Sequence, residues 1–144
     1  MKNFKEFMLI AQAVGAMSKN PKRKIGAIIL SPDMCIVSTG YNDPPRGVYD
    51  NAYRYGEPYK QFYMSHAEEN AIAQAARIGH ATQNCYMLIT ESMPCARCSR
   101  LIVQAGIVQV YYPQFFPVSE KWKLDFECSK AILNEAGVYC ETYV

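Results

Sequence analysis

His66-Ala67-Glu68 and, further along, Pro94-Cys95-Ala96-Arg97-Cys98 supply three zinc-ligand side chains and a carboxylate that need not be one. Zinc takes imidazole nitrogen and thiolate sulfur in a tetrahedral shell, and a structural zinc usually fills all four positions with protein. His66, Cys95 and Cys98 fill three, which leaves the opening for water that a catalytic zinc keeps. That is the composition of a hydrolytic metal site, with Glu68 as the group able to carry protons. The rival is a structural zinc completed by His80 or Cys85, neither of which lies at motif spacing.

Chemistry at these positions depends on the elements that present them, and each half of the motif stands where a helix begins. Ala67, Ala71, Ile72, Ala75 and Ala76 follow a helical pattern up to Ile78-Gly79, and Pro94 to Gln104 reads as a helix stopped by Gly106. Pro94 suits a first turn, which does not need its missing N–H. The positive end of the helix macrodipole favours thiolate over thiol at Cys95 and Cys98, the form that zinc binds. Glu68 poses a geometric problem, because residues two apart on an ideal helix point in nearly opposite directions. His66 and Glu68 converge only if the open first turn lets both reach past the helix end. The alternative is a capping box, Ser65-x-x-Glu68, in which Ser65 opens the helix and Glu68 only bonds back to its backbone.

The remaining segments alternate helix and strand. Phe4, Phe7, Met8, Ala11, Val14 and Gly15 predict an opening amphipathic helix from near Asn3 to Met17. The runs Ile25 to Leu30 and Cys35 to Thr39, either side of Ser31-Pro32-Asp33, predict an antiparallel hairpin. From Gly40 to Tyr63 the chain is rich in Pro, Gly, Asn, Asp and Tyr, poor material for helix or strand and good material for a ligand-binding loop forming one pocket wall. Cys85 to Thr90, Ile107 to Tyr112 and Val138 to Tyr143 read as strands and Glu120 to Ala136 as the last helix, so a right-handed parallel crossover is expected after Cys85. The expected architecture is α/β, a five-stranded mixed sheet with helices on both faces, in a single domain spanning residues 1–144.

Composition agrees with one compact enzyme: 144 residues, 50% hydrophobic, can bury a core unaided. A net charge of +2 is too small to argue for nucleic acid, and the cluster Lys22-Arg23-Lys24, with Lys19 and Lys5 near it, suits a small anion. No apolar stretch reaches the roughly 18 residues of a membrane span, and the start lacks a secretory pattern, so a cytoplasmic protein is expected. Of the cysteines outside the motif, Cys35, Cys85, Cys128 and Cys140 fall in apolar segments and are expected as buried thiols.

With His-x-Glu and Pro-Cys-x-x-Cys each opening a helix, the chain resembles the cytidine deaminase superfamily and, within it, the deoxycytidylate (dCMP) deaminases. Nearly the whole chain is covered. Ile25-Gly26-Ala27-Ile28-Ile29 is similar to the family's first strand, and Gly40-Tyr41-Asn42 with Pro44, Pro45 and Gly47 to its substrate loop. His66-Ala67-Glu68-Glu69-Asn70-Ala71-Ile72 matches as well, as does Ala105-Gly106-Ile107 followed by Val110-Tyr111-Tyr112 on the path into the fourth strand. Enzymes of free cytidine usually put Cys where this chain has His66, which argues against that branch.

The resemblance implies a three-layer α/β/α cytidine-deaminase-like fold and hydrolytic deamination of dCMP to dUMP and ammonia, dUMP being the precursor used by thymidylate synthesis. It implies one catalytic Zn2+ on His66, Cys95 and Cys98 with water or hydroxide as fourth ligand, and Glu68 as the carrier of protons to N3 and to the departing amino group. It implies Asn42 as the sugar ligand, since an amide can pair with a hydroxyl as donor or acceptor, and backbone at Ala67 and around Glu91 to Met93 as base contacts. A nucleotide needs a phosphate clamp, for which Lys22, Arg23 and Lys24, with Arg46 and Arg54 in the long loop, are the candidates. Tyr49, Tyr53, Tyr55, Tyr59 and Tyr63 can line the pocket or donate to phosphate, and Phe115-Phe116 can stack on the base. Ser65, Ser92 and Ser99 need no catalytic role and are expected as caps or surface hydroxyls.

Two departures stand out. Asp43 sits where many members have Gly, in a region they use for regulation by dCTP and dTTP, and an acid there can repel a triphosphate or pair with a metal or arginine. Thr90 lies one residue farther from Pro94 than in the common Thr-x-x-Pro-Cys pattern. By family analogy the protein is a homo-oligomer, hexamer or dimer. Two other readings stay open: a tRNA adenosine deaminase, which shares both motifs but calls for a broader basic face, and a non-catalytic zinc module serving as an interaction protein.

Overall fold

Strand β1, Gly26–Leu30, is buried at every position in the computed structural model, which describes residues 3–144. A strand apolar on both sides needs cover on both faces, and its alternating side chains feed two separate cores. On one face helix α1, Phe4–Gly15, packs Phe4, Met8, Ala11 and Val14 against Ile28, Leu30 and Leu88. On the other, Ala27, Ile29, Met87 and Val110 meet side chains from three helices: α3 (Ala67–Ile78), α4 (Ala96–Gln104) and α5 (Glu120–Glu135).

β1 pairs antiparallel with β2 (Ile36–Tyr41) and with β3 (Tyr86–Ile89). β3 pairs parallel with β4 (Gln109–Pro113), and β4 parallel with β5 (Tyr139–Tyr143), for a strand order β2-β1-β3-β4-β5. α4 and α5 make the crossovers that parallel neighbours require. This is the expected five-stranded mixed sheet inside a three-layer α/β/α arrangement.

α3 lies against β2 because Gly40 has no side chain. A Cβ at Gly40 would stand 2.3 Å from the Ala67 carbonyl oxygen and 2.3 Å from the Ala71 nitrogen, both in the α3 backbone. Two side chains lock the contact: Asn70 Nδ2 donates to the Tyr41 carbonyl at 2.7 Å, and Ser38 Oγ to the Ala71 carbonyl at 2.7 Å. Gly40→Ala therefore has to push α3 off the sheet, an overpacking that costs about 1–3 kcal/mol or more. Denaturant unfolding is expected to show that loss, and an unchanged midpoint would contradict the close packing.

The structure departs from the expectations for the loop after β2 and for the cysteines outside the motif. The segment after β2 is not wholly irregular: Ala52–Tyr55 forms a 3₁₀ turn and Lys60–Tyr63 a short helix, α2. The Arg54 guanidinium packs over the rings of Tyr63 at 4.0 Å and Tyr53 at 5.5 Å, cation–π contacts that composition alone does not reveal. Of the four cysteines outside the motif only Cys85 is buried; Cys35, Cys128 and Cys140 are exposed, on a hairpin turn, the outer side of α5 and the edge strand β5. Apolar neighbours in sequence did not imply a buried position. Among the described residues no helix is long and apolar enough to cross a membrane.

Candidate active site

His66 and Cys95 hold the same structural position. Each is the N-cap of a helix in extended backbone, with φ −74° and ψ 157° at His66 before α3, and φ −73° and ψ 169° at Cys95 before α4. His66 thus lies outside the helix proper, so the opposed directions of residues two apart do not apply to it and Glu68. Ser65 does not open the helix, and Glu68 is not the carboxylate that bonds back. That role falls to Glu69, whose Oε1 accepts the His66 N–H at 3.2 Å. The same Oε1 accepts from Arg97 Nη2 at 2.6 Å, tying the start of α3 to the start of α4 and leaving Glu68 free for chemistry.

His66 Nδ1 lies 3.5 Å from Cys95 Sγ and 3.4 Å from Cys98 Sγ, and the three ligand atoms all fall within 4.8 Å of one another. Tetrahedral zinc, with standard bond lengths to nitrogen and sulfur, separates such donors by roughly 3.6 Å. The donor set fits zinc as it stands. Neither His80 nor Cys85 joins the group: His80 Nδ1 is 2.7 Å from the Ala81 carbonyl, and the Cys85 thiol points to the carbonyls of Ala81 and Gln83.

Donation from the Cys98 thiol pulls Cys95 down to about 4 against the effect of burial, with His66 helping. The same contact, with burial, pushes Cys98 up. Burial disfavours the His66 imidazolium, but the bond to Cys95 and the charge of Glu68 outweigh it and raise its pKa. Metal binding displaces protons of this kind. Glu68, only 5% exposed, has its carboxyl pushed up by burial, with His66 opposing. A carboxyl moved toward working pH suits a group that must both take and return a proton.

A cavity of about 510 Å³ opens onto the cluster, within the range that accommodates a small organic ligand. Its lining includes His66, Glu68 and Cys95 at the chemistry, and Arg23, Asn42 and Trp122 on the walls. Asn42 is buried and partly committed: its Oδ1 accepts the Ile25 N–H at 2.8 Å and its Nδ2 donates to the Arg23 carbonyl at 2.9 Å. One N–H and one lone pair of its amide remain. The guanidinium of Arg23 has no carboxylate within 4.0 Å among the described residues.

Other candidates lie elsewhere. Lys22 and Lys24 do not line the cavity, and Lys24 Nζ donates to the Ser18 carbonyl. Arg46 bonds Gln74 Oε1 at 2.7 Å, and Arg54 is enclosed by tyrosines. Tyr49 and Phe115 point to solvent, 79% and 75% exposed, while Phe116 turns inward against Phe126 at 5.5 Å. Ala67 is fully buried as the first residue of α3.

Ser92 and Ser99 are not surface hydroxyls: Ser92 is buried and lines the cavity, and Ser99 is fully buried against Ser129. Between Thr90 and Pro94, Glu91 adopts the left-handed conformation with φ 73°. Asp43 Oδ1 accepts the Lys19 N–H at 3.0 Å and the Ser18 hydroxyl gives its one proton to the Asn42 carbonyl at 2.7 Å, and the two bonds fasten the loop after β2 to the turn after α1. Lys60, Trp122, Asp125 and Phe126 also line the cavity and were not anticipated. The α5 members share one helix face, with Trp122, Asp125, Phe126, Ser129 and Leu133 at intervals of three and four, but the stripe mixes aromatic, acidic and hydroxyl residues and so shows no apolar period.

Two helix N-caps holding a three-donor zinc site beside a buried glutamate, in a three-layer α/β/α frame, define a zinc hydrolase. Residues 1–114 match the model of the family described as "Cytidine and deoxycytidylate deaminase zinc-binding region". The chain belongs to that family. It is 32% identical to a probable deoxycytidylate deaminase of Caenorhabditis elegans, over 100% of this chain and 71% of that protein. It is 31% identical to the deoxycytidylate deaminase of Homo sapiens, over 96% of this chain and 78% of that protein. The dCMP deaminase of cyanophage S-TIM5, in its apo form, superposes with a TM-score of 0.78 at 25% identity, over 99% of this chain and 100% of that one. The same phage enzyme has been solved in complex with dCMP and dUMP.

Proposed function

We propose that this chain catalyses the zinc-dependent hydrolysis of dCMP to dUMP and ammonia. The observation that carries the reading is the buried Glu68 beside the His66, Cys95 and Cys98 donors, on a cavity that also holds an uncommitted arginine, Arg23. The deoxycytidylate deaminases among its relatives support the choice of substrate.

Zinc on these three residues supplies the Lewis acidity that makes water nucleophilic near neutral pH. Glu68 takes a proton from the attacking water and delivers it to N3 of the cytosine, which makes C4 electrophilic. Glu68 then takes the remaining proton of that water, now a hydroxyl on C4, and hands it to the amino group; the C4–N bond breaks as the C4 carbonyl forms, and ammonia departs. The free N–H and lone pair of Asn42 are suited to a sugar hydroxyl, and Trp122 and Phe126 give the cavity an apolar wall. Formation of dUMP and ammonia in equal amounts from dCMP tests the reaction.

Arg23 is the one member of the Lys22-Arg23-Lys24 cluster that lines the cavity and is the proposed phosphate ligand. Arg23→Ala is expected to raise KM for dCMP about tenfold, the scale of a lost charge-assisted hydrogen bond, and to leave deoxycytidine turnover unchanged. Equal loss on both substrates would remove Arg23 from phosphate binding. Residues 1–144 are further proposed to act as one deaminase-type domain, in the cytoplasm, on a small nucleotide rather than on nucleic acid. The exposed Tyr49, Phe62 and Phe115 provide apolar surface for a homo-oligomer, hexamer or dimer. dCTP and dTTP are the candidate effectors. One oxygen of Asp43, Oδ1, already holds the Lys19 N–H in that region.

A further inference from the structure

Helix α5 grips the metal-ligand turn on both sides of Cys95. On one side Asp125 Oδ1 accepts the backbone N–H of Ala96 at 2.7 Å; on the other, Ser129 Oγ donates to the Pro94 carbonyl at 2.7 Å. Ala96 is the first residue of α4, whose early N–H groups have no partner inside the helix. An N-cap side chain normally serves them, but the N-cap here is Cys95 and its sulfur faces His66. Asp125 supplies the missing acceptor from another helix.

The second contact is part of a buried chain. Ser99 and Ser129 are both fully buried, and their hydroxyls lie 2.7 Å apart. A Ser129 hydroxyl that gives its one proton to Pro94 must accept from Ser99, which fixes the direction from Ser99 to Ser129 to the Pro94 carbonyl. The bonds run from inside α4, through α5, back to the residue that precedes the first sulfur ligand. Removing either hydroxyl leaves a buried polar group short of a partner.

We infer that Asp125 and Ser129 are positioning residues that hold the Cys95-to-Cys98 turn in the geometry zinc requires, so that α5 sets metal affinity without touching the metal. Fixing the carbonyl before Cys95 and the N–H after it restrains both peptide planes around its Cα, and hence the direction of its sulfur. Outer groups that orient ligands in this way govern metal affinity by roughly 10–100-fold. The effect needs only Cys95 as a ligand and is independent of which base or nucleotide is deaminated.

The test is zinc affinity by competition with a chromophoric chelator, together with the thiolate-to-metal absorption of the Co2+-substituted protein. Asp125→Ala and Ser129→Ala are expected to weaken zinc by about 10–100-fold and to alter the cobalt band. Asp125→Asn keeps an acceptor oxygen for Ala96 and is expected to stay close to the wild-type affinity. Leu133→Val loosens α5 in the core, away from the turn, and is expected to lower the unfolding midpoint with zinc affinity unchanged. Wild-type affinity in both alanine variants would overturn the inference. So would an Asp125→Asn loss as large as that of Asp125→Ala, or an equal loss in Leu133→Val.

Discussion

Glu68→Gln is expected to lower kcat for dCMP by roughly 100- to 10,000-fold, the range for removal of a general acid–base group, with zinc content and fold preserved. Glutamine matches glutamate in size and fills the same buried space, but it cannot take a proton from water or return one to nitrogen. The fold tolerates the change because burial already penalises the ionised carboxylate, and the neutral amide carries no such cost. His66, Cys95 and Cys98 form the donor cluster without Glu68, so metal binding survives. The measurements are kcat, bound zinc and the thermal midpoint on the same preparation. Turnover within about tenfold of wild type would assign the proton transfers to another group.

Cys98→Ser produces the second large loss, by a different route. Cys98 is fully buried in the first turn of α4, with its sulfur 3.4 Å from His66 Nδ1. A serine hydroxyl is a poor zinc ligand because it stays protonated near neutral pH, so affinity should fall by more than the roughly 10–100-fold typical of outer-shell changes. Activity is lost with the metal. A ligand that binds only the folded state raises the unfolding midpoint, so added zinc should stabilise the wild type and Glu68→Gln but not Cys98→Ser. A zinc-dependent rise in Cys98→Ser would show that this sulfur is not a ligand.

The metal site was legible because its residue types are rare in combination and their spacing ties each half to a helix start. The sheet was legible too, since the runs at Gly26–Leu30 and Tyr86–Ile89 and the separating turns carry clear signals. What spacing could not supply was how His66 and Glu68 meet. The answer lies in one backbone conformation, the extended N-cap at His66, which shifts the helix start by one residue and gives the capping role to Glu69. The pocket wall was less legible. Asp125 and Ser129 act through backbone atoms about 30 positions away, at Ala96 and Pro94, and such partners leave no periodic trace. Among the cations, sequence placed Lys22, Arg23 and Lys24 together. Adjacent side chains leave an irregular turn in different directions, and only Arg23 lines the cavity.

The most direct test of the central claim is ammonia release from zinc-loaded protein offered dCMP, deoxycytidine, CMP and an adenosine-containing tRNA stem-loop in parallel, with Glu68→Gln alongside. Turnover of dCMP with the highest kcat/KM of the four, lowered roughly 100-fold or more in Glu68→Gln, is the predicted result. Activity confined to the stem-loop, or no activity on any substrate with zinc bound, would contradict it.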